Sequence, residues 1–183
     1  MSEDIVIRQC APTLAGIKTG SLFPCPFSDK DTMTRDIRDF NRQLSPKGLR
    51  LLPLRYTDGR ALLYLYRPER LKDDLSEALA HQLLSEAGYS CESCDKCVVS
   101  LIRRLHDRGD FPHEIGLFLS YPPEDVKGFI DNKARSFKLA GLWKVYGSVD
   151  LAQALFKKYK KCTEVYCRRW QAGSTINELA VAG

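Results

Sequence analysis

The sequence predicts an α+β fold in one domain: a mixed, mostly antiparallel sheet of four or five strands with helices packed mainly on one face. Three observations carry that prediction. Asp58-Gly59 stands between two apolar runs, the signal of a two-residue hairpin turn. Several segments repeat apolar residues at steps of three and four, the period of a half-buried helix. No internal repeat or low-complexity linker divides the 183 residues, so they read as one unit, 1–183, with flexible tails at 1–4 and 174–183.

Taken in order, Ile5, Val6 and Ile7 begin a short helix or turn that breaks near Pro12, because proline lacks a donor and clashes inside a helix, or Pro12 instead opens a second helical turn at its first position. The stretch from Gly16 to Phe23 reads as a turn leading into a strand closed by Pro24 and Pro26. Asp31 or Thr32 caps a helix whose buried face is Met33, Ile37, Phe40 and Leu44, and Ser45-Pro46-Lys47-Gly48 ends it. In the hairpin, the Asp58-Gly59 turn pairs Tyr56 with Ala61, Leu54 with Leu63 and Leu52 with Leu65, all on one face. Pro53 removes a ladder donor, which puts its strand at an edge or turns that position outward.

A helix carrying Leu71, Leu75, Leu79 and Leu83 ends at Gly88. The next, capped by Asp95, carries Val98, Leu101, Ile102 and Leu105 and ends at Gly109, with Arg103, Arg104 and Arg108 near its negative end. Ile115 to Leu119 reads as a buried strand. Pro122-Pro123-Glu124-Asp125 then opens a helix whose apolar face is Val126, Phe129 and Ile130. Leu142 to Tyr146 is a further strand, and Ser148 caps a long helix with the stripe Leu151, Leu155, Tyr159, Cys162 and Tyr166.

Composition narrows the function classes. No apolar run approaches the ~20 residues that span a bilayer, so no membrane partner is expected. The acidic start Met1-Ser2-Glu3-Asp4 does not read as a signal peptide. Seven cysteines, an odd number, in a chain able to build a core suit a reducing compartment, and the expected location is the cytoplasm. Charge is uneven: from Val126 to Arg169 eleven Lys or Arg face three acids, a local net of +8 within a total of +5. Such a basic half suits an anionic ligand or an acidic protein partner.

Four groups of residues could carry chemistry. Cys91, Cys94 and Cys97, at steps of three, can bind zinc or an iron–sulfur cluster as thiolates, or act as a redox-sensing dithiol. The run lacks a fourth ligand nearby, which would come from Cys10, Cys25 or a histidine, and Cys97 equally suits the buried face of its helix. Cys10 with His113 as base and Glu114 as orienter makes a candidate cysteine-dependent hydrolase, although neighbours on an extended chain point oppositely. Gly16 to Ser21 superficially suggests a phosphate loop, with Lys18 as an anion contact, but lacks the P-loop spacing. Lys157, Lys158, Lys160 and Lys161 form an exposed cluster for an anion or acidic partner. Nucleic acid is less favoured, because helical and strand spacing places Tyr159 and Trp143 in the core rather than on a stacking surface.

The strings from Cys10 to Phe23 and from Phe111 to Leu119, with Gly128-Phe-Ile, Trp143-Lys-Val-Tyr-Gly and Lys161-Cys-Thr, resemble an uncharacterised bacterial family catalogued as domain of unknown function 3793. The resemblance runs from about Ile5 to the end of the final helix. It implies no catalytic residues, and the three spaced thiols are outside its defining strings. The expectation is a ligand- or partner-binding module rather than an enzyme.

Overall fold

The structure, a computed structural model, describes residues 1–106 and 111–183. Arg108 and the helix stop expected at Gly109 lie outside the described residues. The described chain divides into two compact units, one of residues 1–69 and 159–183, the other of residues 70–158.

In the first unit, α1 (Glu3–Leu14) runs through Pro12 instead of breaking there. The proline leaves the Arg8 carbonyl without its helical donor, and Arg8 lies on the exposed side of the helix. Val6, Ile7, Cys10, Ala11 and Leu14 form the buried stripe. The helix α2 (Lys30–Leu44) is capped by Asp29, not by Asp31 or Thr32: the Asp29 carboxylate accepts from Thr32 N at 2.7 Å. Its buried residues are Met33, Ile37, Phe40 and Leu44, as the spacing predicts.

The sheet of this unit has three antiparallel strands, β1 (Gly20–Pro26), β2 (Arg50–Thr57) and β3 (Arg60–Tyr66), in the order β1-β3-β2. Every strand proline, Pro24, Pro26 and Pro53, is on an edge strand, where a missing donor breaks no central ladder. Tyr56 pairs with Ala61 as expected, but the pairs Leu54–Leu63 and Leu52–Leu65 do not form. A bulge at Leu54 shifts the register, so that Pro53 faces Leu63 and Leu51 faces Leu65. Leu51 and Leu54 on either side of the shift are both fully buried.

One face of this sheet joins the core. Ala61, Leu63 and Leu65 pack with the stripes of α1 and α2 and with Tyr166, Ile176, Leu179 and Ala180. The last three belong to the segment expected as a flexible tail. There Thr175 and Glu178 form a reciprocal capping box that opens α9 (Ile176–Leu179).

The second unit is mostly helical. The helix expected from Leu71 to Gly88 is two, α3 (Pro68–Ser76) and α4 (Ala78–Glu86). Extended backbone at Glu77 separates them, and the Glu77 carboxylate caps α4. Then come α5 (Cys94–His106), α6 (Ile115–Phe118) and α7 (Pro123–Asp131). Asp95 lies inside the first turn of α5 rather than at its cap, and Ser93 Oγ accepts from Lys96 N instead. The strand expected at Ile115–Leu119 is therefore a correction: the run is a buried helical turn. A short apolar run is ambiguous between the two states.

The strand expected at Leu142–Tyr146 reduces to β5 (Lys144–Val145), which pairs antiparallel with β4 (Leu139–Ala140). Among the described residues the five strands thus form sheets of three and two, not one sheet. The long helix α8 (Val149–Gln171) contributes to both units, with Ser148 at its start accepting from Leu151 N. Leu151 is 66% exposed while Ala152 is 1% exposed, so the buried stripe starts one residue later than predicted.

Candidate functional site

In the second unit, α6, α7 and the β4–β5 hairpin line a cavity of about 380 Å³. Phe111, Tyr121, Phe129 and Trp143 give it aromatic walls beside Ile115 and Val126, and His113, Asp125 and Lys144 are its basic and acidic residues. Two glycines allow the close approaches that shape it. A Cβ on Gly116 would lie 2.8 Å from Val126, so α6 rests directly on α7. A Cβ on Gly128 would lie 2.4 Å from Tyr146, which sets the distance from α7 to the end of the hairpin.

Asp125 joins α7 to the hairpin. It is 3% exposed, and its carboxylate accepts from Trp143 Nε1, Tyr146 N and Gly147 N, each at 2.7 Å. The indole is thereby fixed in the wall, stacked on Tyr121 at 4.8 Å between centroids and edge-on to Phe156 at 4.5 Å. Burial pushes the Tyr121 phenol up from its ordinary value, so it stays neutral.

The rim carries the positive charge. The His113 ring meets Phe129 edge-on at 5.0 Å, and Lys144 Nζ sits over Phe137 at 4.9 Å and Phe129 at 5.8 Å. Lys144 Nζ also donates to Ala134 O at 2.7 Å. The segment it reaches is unusual: Lys133, Ala134 and Ser136 have φ of 48°, 62° and 55°. Left-handed backbone costs on the order of 1 kcal/mol per residue without glycine and persists only where the surroundings hold it. Here the Ala134 N–H to Phe129 O bond at 2.9 Å and the Lys144 contact do so.

Chemically, the pocket offers flat apolar walls for stacking and an ammonium and an imidazole for an anionic group. Among the described residues no serine, threonine or cysteine lines it.

The residues singled out by spacing distribute differently. Cys10 is fully buried in α1 of the first unit, and burial pushes its thiol far up, against Lys18 and a hydrogen bond to Ser21. That is opposite to what a nucleophile needs. His113 and Glu114 belong to the second unit. Glu114 is buried and faces Arg104 at 3.5 Å, while His113 is exposed and rests on Phe129.

Lys18 follows the turn after α1, where Ile17 N and Lys18 N both donate to Pro12 O. The segment Gly16–Ser21 is thus a helix stop running into β1, not a phosphate loop. Half-buried, Lys18 sits over the Tyr159 ring at 6.0 Å, and burial brings its ammonium down to about 8.

Cys97 is buried, while Cys91 and Cys94 are half-buried. Among the described residues no group of three or more His, Cys, Asp or Glu side chains is arranged to hold a metal ion. Lys157, Lys158, Lys160 and Lys161 are all exposed on α8, as expected. Among the described residues no helix is long and apolar enough to cross a membrane.

The profile of a family described as "Protein of unknown function (DUF3793)" matches residues 6–180. Neither a curated protein nor a solved structure matches the chain.

Proposed function

We propose that this chain, which belongs to the DUF3793 family of proteins of unknown function, is a ligand-binding module whose second unit takes a flat aromatic molecule bearing an anionic group. The observation that carries the reading is the aromatic-walled cavity of about 380 Å³ with Lys144 and His113 at its rim. Pockets of this size with few, convergent polar groups are the usual form of a small-molecule site. The described lining residues include no serine, threonine or cysteine, and burial keeps the Tyr121 phenol neutral, which favours binding over acyl transfer. The seven free thiols support a cytoplasmic location.

The test uses 1-anilinonaphthalene-8-sulfonate, an aromatic anion, followed by fluorescence. Saturable binding is expected. Ala140→Trp, which fills the cavity from β4, and Lys144→Gln, which removes the rim charge, should each weaken it about tenfold, or ~1.4 kcal/mol. Binding unchanged by Ala140→Trp would place the dye elsewhere and remove the pocket from the reading.

A second reading concerns the exposed lysines of α8. Lys157, Lys158, Lys160 and Lys161 suit an acidic partner, which would be attracted through a salt-screened field. Retention on a phosphate-bearing cation exchanger should fall when all four become Gln, with elution at distinctly lower salt. Equal retention would rule the cluster out as the anionic contact.

A further inference from the structure

The left-handed segment beside the pocket carries more positive charge than its own contacts consume. Lys133, Arg135, Lys138 and Lys144 are the only charged residues from Asn132 to Val149. Two of them are committed: Lys138 Nζ donates to Gly147 O at 2.9 Å, and Lys144 Nζ to Ala134 O at 2.7 Å. Among the described residues, the side chains of Lys133 and Arg135 make no hydrogen bond or ion pair, and both residues are exposed. Asp131, the nearest acid in sequence, is already paired with Lys127.

The backbone brings these two cations to the mouth of the cavity. Lys144 lines the cavity, and the carbonyl it holds belongs to Ala134, the residue between Lys133 and Arg135. Arg135 follows that carbonyl by one peptide bond, so its Cα stands within about 6 Å of the Lys144 ammonium, the reach of one arginine side chain. The Ala134 N–H to Phe129 O bond at 2.9 Å fixes the segment to α7, whose Phe129 is itself in the wall.

Charge and donor number then select the anion. An ammonium has three donors, and Lys144 spends one of them on Ala134. A carboxylate carries one charge, which Lys144 alone can answer. A phosphate monoester carries nearly two charges and three strong acceptor oxygens, and it calls for further donors. A guanidinium fork with a second ammonium beside it supplies them. Within the cavity, Asp125 spends its carboxylate on Trp143, Tyr146 and Gly147, so the walls hold a ring by stacking rather than by reading its edge.

Resting on the pocket reading given above, we propose that the ligand is an aromatic phosphate monoester, its ring between the walls and its phosphoryl group on Lys144, Arg135 and Lys133. The last two residues lie outside the cavity lining and complete the anion site.

The test is calorimetric titration of the full chain at pH 8 with 1-naphthyl phosphate and with 1-naphthoate, two anions on the same ring. The phosphate should bind about tenfold more tightly. Lys133→Gln combined with Arg135→Gln should weaken the phosphate about tenfold and the naphthoate less than about twofold, so that retained naphthoate binding shows the variant is folded. Equal affinity for the two anions, or an equal loss of both in the variant, would overturn the phosphate assignment and leave the pocket standing. Inorganic phosphate that competes as well as the naphthyl ester would overturn it too, since the ring would then add nothing. If neither anion binds, or both bind and Ala140→Trp weakens neither, the pocket reading itself fails and the assignment falls with it.

Discussion

Replacing Arg67 by methionine is expected to destabilise the first unit by about 3–5 kcal/mol, the largest effect of any single substitution considered. Arg67 is 2% exposed at the end of β3, and its guanidinium is spent on backbone carbonyls. Nε donates to Thr13 O at 2.8 Å and Nη2 to Leu14 O at 2.8 Å. These carbonyls close α1, where helical donors run out and the helix dipole favours a cation. Nη2 also reaches Val181 O at 2.7 Å, and Nη1 reaches Lys47 O at 3.3 Å. One side chain thus ties together the end of α1, the turn after α2 and the segment after α9.

Methionine keeps much of the apolar stem but removes four hydrogen bonds from a charged donor. Thr13 O, Leu14 O and Lys47 O keep backbone donors from Gly16, Val181 and Gly183. Val181 O loses this donor, and an orphaned buried acceptor costs about 1–3 kcal/mol. Lysine keeps the charge but lacks the planar fork, so Arg67→Lys should recover less than half of the loss. The measurement is the urea midpoint with the slope checked for constancy, together with amide exchange across residues 176–181, whose protection should collapse first. A loss below about 1 kcal/mol in Arg67→Met would show that the carbonyls find water and that the fork is dispensable.

How much of this was legible beforehand depends on the range of the interactions. Local signals worked. The stripe of α2, the Asp58-Gly59 turn, the prolines opening α7 and the cap at Ser148 all depend on neighbours within a few residues, and all are present. The Leu54 bulge was not legible, because a two-residue period cannot show where one residue is skipped. The spacing Thr175-x-x-Glu178 was a readable capping box, overlooked because no long apolar period follows it.

The site was less visible still. Cys91, Cys94 and Cys97 attract notice by spacing, yet the pocket is built elsewhere by rings that spacing read as core. Trp143 is indeed 7% exposed, but it is both core and wall. No local signal marks Arg67, which stands before a proline, and Asp125 reads only as an acid at a helix start. Each finds its partners through tertiary contacts, at separations from 18 residues for Asp125–Trp143 to 114 for Arg67–Val181, which no local pattern encodes.

Substituting Asp125 by asparagine should therefore loosen the pocket as well as the second unit. The amide oxygen can still accept from Tyr146 N and Gly147 N, but the NH2 then meets the Trp143 indole N–H, donor against donor. Exchanging three charge-assisted bonds for two neutral ones and one clash should cost about 2–3 kcal/mol. Alanine, which leaves all three buried donors orphaned, should cost about 3–4 kcal/mol. A double-mutant cycle with Trp143→Phe separates the clash from general damage, since phenylalanine has no N–H to meet the amide. In that background Asp125→Asn should cost about 1–2 kcal/mol less, a coupling within the range seen for residues in direct contact. Circular dichroism against urea follows stability in all four proteins, and the naphthalene sulfonate titration follows the pocket. If Asp125→Asn costs the same with and without the indole, Asp125 is a general anchor of the hairpin and not the group that aims Trp143 into the wall.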